Sequence, residues 1–462
     1  MRPSRHLLKA RCRRVPLALA LALAGCATYQ PLSLPDHAQL AASASALRHT
    51  LPAAEAGARP ITLDVSQALT PKQIGLLAIL NAPELLTERG EFETARAGVV
   101  QSGLLPNPSM NIGYAALVGG PGIAGAWTAS LAQDVASLVT YKSRVAAAET
   151  HVRQVNADLL WKEWQVAQKA RLLAVSIYWS DQTLALGRKQ LATLTRTTDE
   201  VQHAVDQHNA TLPDLTPLLA AKAALEQSIA TLALQQLKNW ADLNALLGLT
   251  PAARLTLAAP AEPALPADLD ALAASVPERR PDLVALQLGY RSADESVRSA
   301  ILGQFPALAL GGTWATDTSK VRTAGPTVTF DVPIFRRNQD QIALTQATRL
   351  LLREQYQIRL DTTEAAIRGL RTRIGAITAQ LKSAGRDAAT AAQQAQVAHQ
   401  AFEHGNIDAR TLTDYESTVS SRSQTVFDLR RALDEAYVGL DLELGLGLPQ
   451  TRIAPLDSTE PS

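Results

Sequence analysis

The chain has 462 residues, a formal net charge of +1 and only 4% aromatic residues. This charge balance gives no reason to expect a nucleic-acid partner, because proteins that bind nucleic acids carry a clear basic excess. The scarcity of large side chains and the richness in Ala, Leu, Gln and Arg favour narrow helix–helix seams over two or three broad globular cores.

The N-terminus predicts an exported lipoprotein. An arginine-rich segment at 11–14 precedes an apolar run over 15–24, which is too short to span a membrane as a mature helix. The sequence Leu23-Ala24-Gly25-Cys26 resembles a bacterial lipobox, so Cys26 is the expected site of lipidation, including palmitate, and the first mature residue. Ala27 follows it instead of Asp, which by the same resemblance implies an outer-membrane destination. The alternative is an ordinary signal peptide with an incidental cysteine.

The first half of the mature chain predicts a tether, a helical segment, a β-hairpin and a helical hairpin. Residues 26–60 show no sustained period, which is typical of an extended tether, and order is expected to begin near Ile61. Gly119-Gly120-Pro121-Gly122 is a strong turn signal between two candidate strands, and the segment from Asn209 to Pro213 turns the chain between two helices. The predicted elements are helix 71–100, strands 110–117 and 127–135, and helices 141–207 and 215–247.

The second half repeats this order after a Pro- and Ala-rich connection. Its long helix shows a coiled-coil seam, because apolar residues recur every seventh position from Leu360 through Ile374 to Phe402. The spacing resumes at Leu412 after Gly405-Asn406-Ile407-Asp408, so a second helix returns along the first. At about 1.5 Å per residue this hairpin is roughly 100 Å long. The predicted elements are helix 280–303, strands 308–316 and 327–332 around a turn near Gly325-Pro326, and a helical hairpin over 338–447.

The two halves form an internal duplication with an offset of about 197 residues. The matching segments are Asn81-Ala82-Pro83-Glu84-Leu85 with Arg279-Arg280-Pro281-Asp282-Leu283, Asp134-Val135 with Asp331-Val332, and Asn209 with Asn406. The predicted domains are a lipoprotein signal peptide (1–25), a lipidated extended tether (26–60), a first repeat (61–250), a linker (251–277), a second repeat (278–447) and a C-terminal tail (448–462).

Four strands in one chain are too few to close a barrel and leave open edges. If these strands enter a bilayer, every backbone group must be paired, so two copies would pool eight strands and three copies would pool twelve. Alternation supports membrane strands, because nonpolar residues share one phase of each hairpin: Met110, Ile112, Tyr114 and Ala116 in the first, and Ala307, Ala309 and Gly311 in the second. An ordinary soluble sheet is the alternative. The mature sequence has no apolar run near the roughly eighteen residues that a spanning helix needs.

Together these features resemble the TolC-type outer-membrane efflux proteins over essentially all of the mature chain. They comprise the duplicated order of elements, the lipobox, the matching segments that begin at Asn81 and Arg279, and the Gly405 turn. The segment Phe330-Asp331-Val332-Pro333-Ile334-Phe335, which leads into the long helix, belongs to the same set. The resemblance implies a mainly α fold with a small β part. In it, duplicated helical hairpins form a trimeric α-barrel, and four strands per chain contribute to a shared twelve-stranded transmembrane β-barrel. The first half departs from the pattern, since Ala136-Ser137-Leu138 stands where the second half has Pro-Ile-Phe.

The same resemblance implies partners and a gate. The partners are two further copies of the chain, a periplasmic adaptor, an inner-membrane transporter of the RND type, and outer-membrane lipid. Counting from Gly405, Asp414 falls on the family's more distal gating aspartate and Thr411 on the nearer one. Three copies of Asp414 would form a ring of negative potential that attracts cations, whereas the alternative is an exposed acid favoured by the helix dipole. The expected tip-turn residues are Gly405, Asn406, Asp408 as an N-cap, Asn209, Pro213 and Asp214.

Two histidine pairs, His203/His208 and His399/His404, precede the turns. Five residues advance a helix by about 500°, which keeps the two rings off one face. Solvated helix-end histidines are therefore expected instead of an intrachain metal site, and a site between chains stays open.

The sequence contains no Gly-rich phosphate loop, paired cysteines, nucleophile elbow or His-Glu-x-x-His motif, so neither enzyme activity nor a cofactor is expected. The leading hypothesis is a lipid-anchored outer-membrane duct that extends into the periplasm and passively releases small molecules or metal ions. A structural coiled-coil lipoprotein and a type I protein-secretion duct are the alternatives. A weak likeness to heavy-metal efflux members around residues 161–165 slightly favours metal cargo.

Overall fold

The computed structural model of the protein describes residues 29–51, 61–448 and 450–453. The predicted signal peptide and Cys26 therefore lie outside the described residues. Residues 29–40 belong to a separate unit and carry no helix or strand, and the helices and strands of the described residues belong to the unit that begins at Ala41.

Long helices dominate this unit, and four of its strands form one antiparallel sheet, in which strands 109–115 (β3), 126–134 (β4), 308–316 (β5) and 322–330 (β6) lie side by side in chain order. The helices are α1 (Pro71–Asn81), α2 (Glu84–Ser102), α3 (Ala136–Asp206), α4 (Leu212–Leu247), α5 (Leu269–Ala274), α6 (Val276–Arg279), α7 (Pro281–Leu302), α8 (Gln339–Glu403) and α9 (Ala409–Leu444). The strands are β1 (Thr50–Leu51), β2 (Ile61–Thr62), β3 (Ser109–Ala115), β4 (Ala126–Asp134), β5 (Leu308–Thr316) and β6 (Arg322–Phe330). None of the described helices combines the length and the apolar character needed to cross a membrane.

The backbone confirms the predicted duplication. The returning helices α4 and α9 each contain 36 residues and begin 197 positions apart. The helices before them, α3 and α8, contain 71 and 65 residues, which at about 1.5 Å per residue gives lengths of roughly 107 and 98 Å. Each hairpin turns through one left-handed residue, His208 at φ 62° and Gly405 at φ 70°. The fold is therefore mainly α, with duplicated long hairpins and a small sheet, as the sequence predicts.

The shorter helices continue one another end to end. A Cβ added to Gly248, just after α4, would lie 3.4 Å from Pro83, the residue before α2. A Cβ added to Gly445, just after α9, would lie 3.5 Å from the carbonyl oxygen of Arg279 and 3.5 Å from Arg280, the residue before α7. Both glycines have positive φ, which L side chains rarely adopt. Thus α2 follows on from α4 and α7 from α9, and both stacks contact α3.

The segment before α1 is more ordered than the sequence predicts. The N–H of Ala41 donates to the carbonyl group just after α4 at 2.9 Å, and the N–H of Arg48 donates to the Asn81 side chain at 2.8 Å. Leu47 is buried in the core that α1, α3 and the end of α4 form. The prediction of an extended tether is therefore wrong for residues 41–51. One buried leucine and a few hydrogen bonds hold this segment on the core.

The second β-hairpin turns earlier than the sequence predicts. Residues 317–321 join β5 to β6, so Gly325-Pro326 lies inside β6. The Asp317 carboxylate makes the turn by accepting hydrogen bonds from the N–H groups of Ser319 and Val321 at 2.8 and 2.9 Å. Proline has no N–H to donate, and in one protomer β6 is an edge strand, where proline is found more often than in central strands. An aspartate turn therefore outweighs the Gly-Pro signal.

Candidate functional site

One face of the four-stranded sheet is apolar almost throughout. The register brings alternate residues of all four strands onto this face, where nine large apolar side chains are 46–66% exposed. They are Met110, Ile112, Tyr114, Trp127, Leu131, Leu310, Trp314, Val328 and Phe330. A contiguous apolar surface of this kind marks contact with lipid or with another protein.

The opposite face of the sheet is small and polar. Among the residues that the register places there are Asn111, Thr128, Ser130, Thr313, Thr327 and Thr329. An apolar face opposite a polar face is the pattern of membrane strands that separate lipid from a water-filled lumen. Three of the strands contain nine residues, and about 3.3 Å per residue makes them roughly 30 Å long, which suits the hydrocarbon core of a bilayer.

The prediction that Ala309 and Gly311 lie on the apolar face of β5 is wrong. Ala309 and Gly311 pair with Asp134 and Ala132 and lie on the polar face, whereas the large side chains of this strand occupy the other phase. Alanine and glycine are nonpolar but small, so the size of the side chain separates the two faces of β5 better than its polarity does. For β3, the predicted phase of Met110, Ile112 and Tyr114 agrees with the register.

Both outer strands of the sheet have an open edge. Among the described residues of one protomer, β3 pairs only with β4 and β6 pairs only with β5 in this sheet. The unpaired N–H and C=O groups along these edges cannot be left without partners in lipid, where no water replaces them. The sheet is therefore incomplete as a membrane structure until its edges meet further strands.

The hairpin turns lie at the end of the long helices opposite the sheet. Their backbones match, because the N–H of Asn209 donates to the carbonyl oxygen of Ala204 and that of Asn406 donates to Ala401, both at 2.8 Å. The left-handed residue comes directly before the asparagine in each turn. The duplication therefore extends to the hydrogen bonds of the two tips.

The helix caps at the two tips use the same pair of residue types in exchanged positions. In the first repeat Thr211 is the N-cap of α4, and its hydroxyl and N–H donate to Asp214 at 2.6 and 2.9 Å. In the second repeat Asp408 is the N-cap of α9 and accepts from the N–H of Thr411 at 2.8 Å. Pro213 occupies the first turn of α4, where a missing N–H costs nothing.

These caps predict that the tips loosen in acid. Hydrogen bonds from the Thr211 and Thr411 side chains, followed by those from their N–H groups, lower the pKa of Asp214 and Asp408 below its ordinary value near 3.8. A lowered pKa means that the stabilisation is present above pH 4 and disappears as the pH falls through the pKa of the folded state. Hydrogen exchange of amides 409–412, corrected for the intrinsic rate, should therefore accelerate between pH 5 and pH 3.

The control for the acid effect is Asp408→Asn, which retains an N-cap acceptor without a titrating group. This variant should exchange slowly at pH 5 and show little acceleration towards pH 3 in the second tip, while the first tip still responds. An equal response in both proteins would contradict the assignment to Asp408.

The proposed gate residues lie on one face of α9. Asp414 and Thr411 are separated by three residues, which places them one helical turn apart on the same side. The Asp414 side chain is exposed, and Thr411 is half-buried by the cap. Their role as a gate stays a prediction.

The histidines near the tips do not assemble a metal site within the chain. The Nε2 atom of His399 lies 2.9 Å from a Glu416 carboxylate oxygen across the second hairpin, and Nδ1 of His404 contacts the carbonyl oxygen of Gln400 at 2.6 Å. No group of three or more His, Cys, Asp and Glu side chains in the described part of the chain is arranged to hold a metal ion.

A buried charge cluster fixes the joint between α7 and α9. Arg280 donates to both oxygens of Asp282 at 2.9 and 2.7 Å and also to the Glu443 carboxylate of α9. Its guanidinium carbon lies 4.4 Å from the centroid of the Trp161 ring on α3. Arg359 of α8 reaches the same Asp282 at 3.2 Å. Arg280 and Asp282 therefore link four helices, α3, α7, α8 and α9, at one position along their length.

The neighbouring residues of α3 form ion pairs with α2. Lys162 lies 3.9 Å from Glu84, and Glu163 lies 2.8 Å from Arg89, so both charges of this segment pair with α2. Residues 161–165 therefore have a structural role that accounts for their chemistry. This role could not be predicted from the sequence because the partners lie 74 or more residues away in the chain. The only signal in the sequence was the match between the segments at 81–85 and 279–283, which indicates that they occupy equivalent positions in the two repeats.

Known proteins share this architecture. Residues 272–446 match the family model described as Outer membrane efflux protein. The second repeat is therefore similar in sequence to outer membrane efflux proteins. The match covers the second repeat of the chain, and the internal duplication extends the same architecture to the first. A search of curated proteins finds none that matches the sequence.

Solved structures share the fold of this chain at low sequence identity. CusC, whose folding and transmembrane channel formation are accompanied by conformational changes, aligns at 15% identity over 82% of this chain and 92% of its own, with a TM-score of 0.68. The MtrE outer membrane channel of Neisseria gonorrhoeae, in its open state, aligns at 15% identity over 82% and 90%, with a TM-score of 0.68. VceC, an outer membrane protein of Vibrio cholerae, aligns at 15% identity over 81% and 96%, with a TM-score of 0.65.

Proposed function

We propose that this chain is an outer membrane efflux protein, and that three copies of it form one channel across the outer membrane and the adjoining periplasm. The observation that carries the proposal is the four-stranded sheet, which has an apolar face, a polar face and two open edges. Joining β6 of one copy to β3 of the next closes the sheet and pairs the edges. Three copies supply twelve strands, enough for a barrel with a lumen.

The long hairpins continue this lumen towards the periplasm. The two hairpins of one chain pack against each other through α3 and α9, so three copies supply six hairpins around one axis. The channel is passive in this proposal. A periplasmic adaptor and an inner-membrane transporter of the RND type deliver the cargo and supply the energy.

The cargo class in this proposal is small molecules or metal ions. The segment at 161–165 gives no support for metals in particular, because its charged and aromatic groups are engaged in the helix joints. A purely structural coiled-coil lipoprotein would share the long hairpins, but it gives no reason for a sheet whose outward face is apolar. A type I protein-secretion duct would use the same architecture with a different inner-membrane partner.

Charge at the tips is expected to set the ion selectivity of the channel. In this proposal Asp414 faces the lumen near its narrow end, so three carboxylates attract cations there. Asp414→Asn should lower the cation-to-anion permeability ratio, and Thr411→Asp, one turn away on the same face, should raise it. The measurement is the reversal potential of the purified protein in a planar bilayer under a salt gradient. If neither variant shifts it, Asp414 lies outside the conducting path.

The lipid on Cys26 is expected to be dispensable for insertion. Cys26→Ser should remove acylation, measured by metabolic labelling with a fatty acid, while the protein still fractionates with the outer membrane as a trimer. The physical reason is that twelve strands bury far more apolar surface than acyl chains at one residue do. Recovery of the variant as a soluble monomer would contradict membrane insertion by the sheet.

A further inference from the structure

The two repeats differ in how the sheet is joined to the long helix. In the first repeat only Val135 separates β4 from α3. In the second repeat residues 331–338 separate β6 from α8, and α8 is six residues shorter than α3 although the tips of both hairpins are in register. In the second repeat an irregular segment therefore replaces more than one turn of the long helix.

This junction segment exposes large apolar side chains. Val332, Ile334 and Phe335 are 66%, 68% and 88% exposed, more than most apolar residues of the sheet. The segment is held by few contacts, among them the bond from the N–H of Ile334 to the carbonyl oxygen of Val332 at 2.8 Å. Exposing three such side chains to water while forgoing helical hydrogen bonds is unfavourable, so the segment needs an apolar partner.

The position of the segment indicates what this partner is. Phe330, the last residue of β6, belongs to the apolar face of the sheet, and the junction segment begins at the next residue. The aromatic residues Tyr114, Trp127 and Trp314 lie at the other end of the same face. Aromatic side chains at both ends of an apolar band are typical of the two membrane–water interfaces.

The polar end of the segment suits the phosphate layer of a bilayer. Arg336 and Arg337 follow Phe335 and are exposed. Arg336 is paired with Asp340 at 2.6 Å, whereas the Arg337 side chain contacts only the carbonyl oxygen of Pro333 at 3.3 Å and forms no ion pair within the described chain. A guanidinium at the boundary between acyl chains and water binds phosphate oxygens readily.

We propose that residues Val332–Arg337 anchor each copy in the periplasmic leaflet of the outer membrane by binding phospholipid. Ile334 and Phe335 enter the boundary between headgroups and acyl chains, and Arg337 binds a lipid phosphate. The inference rests on the proposed function, because it needs the sheet to lie in the membrane. The anchor fixes the depth of the sheet at the point where the wall changes from strands to helices.

Site-directed spin labelling tests this anchor in the full protein reconstituted into phosphatidylethanolamine–phosphatidylglycerol vesicles. Nitroxides are placed at Phe335→Cys, at Val397→Cys near the tip of the same helix, and at Val328→Cys on the apolar face of β6. Val397 and Val328 are each 60% exposed in one protomer, which makes them matched controls. Parent protein treated with the same reagent gives the background.

The expected result at position 335 is high accessibility to oxygen and low accessibility to a water-soluble nickel chelate. Accessibility to both reagents near zero would place Phe335 against another copy of the chain, and high nickel accessibility would place it in water. Either result overturns the anchor. The label at 328 should behave as lipid-exposed and that at 397 as water-exposed. If the label at 328 reports water, it is the proposed membrane function that fails.

The phosphate contact is tested with the same label at position 335. Adding Arg337→Glu should shift the nitroxide towards water, raising the nickel-to-oxygen accessibility ratio at least twofold, and Arg337→Lys should leave the ratio unchanged. Arg353→Glu, an exposed charge further down α8, is the control for an unspecific effect of charge. An unchanged ratio with Arg337→Glu would overturn the phosphate contact.

Discussion

Replacing Arg280 with alanine is expected to lower the free energy of unfolding by about 3–5 kcal/mol. The Arg280 side chain is only 4% exposed and satisfies Asp282, which is 7% exposed, through two hydrogen bonds. Removing the guanidinium leaves a buried carboxylate with Arg359 at 3.2 Å as its remaining ion-pair partner. The stacking on Trp161 and the link to Glu443 are lost as well.

The measurement is urea-induced loss of helical circular dichroism in detergent, with Arg353→Ala as the matched control. Arg353 is exposed and lies 4.0 Å from Glu354, so its removal should change stability by less than about 0.5 kcal/mol. The double variant Arg280→Ala/Asp282→Ala should lose less stability than the sum of its two single variants, because the second change removes the buried carboxylate that the first leaves with Arg359 alone. Equal effects of Arg280→Ala and Arg353→Ala would show that the joint does not depend on this cluster.

A lysine at Leu131 is expected to prevent stable insertion, whereas a lysine at the adjacent Ser130 is not. Leu131 lies on the apolar face in the middle of β4, and Ser130 lies on the polar face. A cation on the lipid side near the bilayer midplane costs about 2–4 kcal/mol, and three copies would bear that cost together. The same charge on the lumen side remains hydrated.

The two lysine variants are compared by outer-membrane fractionation and by the resistance of the trimer to dissociation in mild detergent. Leu131→Lys should be depleted from the membrane fraction at least tenfold relative to the parent, and Ser130→Lys should reach normal levels with altered conductance. Similar depletion of both variants would mean that the two faces of the sheet do not separate lipid from water.

The sequence predicts the long helices well because a seven-residue period persists over many turns. A seam such as Ile367, Ile374 and Ile377 is buried in the structure, and the tip glycine has the left-handed backbone that its position between two helices suggests. Local periodicity and local turn chemistry are therefore sufficient for this part of the fold.

The sheet and the joints depend on information that is not local. The apolar phase of β5 follows from its pairing with β4, and alanine and glycine do not reveal which face they occupy. The end of β5 is set by the Asp317 side chain rather than by Gly325-Pro326. The Arg280 cluster joins residues from four helices that are far apart in the chain, so it appears only after the helices have been stacked.

The proposed gate and the proposed depth of the sheet in the membrane are properties of the assembled protein, so the sequence of one chain does not determine them directly. Asp414 is an exposed carboxylate in a single protomer, and the gate proposed for it needs the two further copies of the proposed trimer. The open edges of β3 and β6 in the single chain support the proposal that further copies are present.

Conductance of the purified protein in a planar lipid bilayer tests most directly whether this chain forms an outer-membrane channel. The expected result is discrete, uniform conductance steps that become larger or more frequent when Asp414→Ala is combined with disruption of the tip cap by Asp408→Ala. If intact trimers show no conductance in either form, this chain is not a channel.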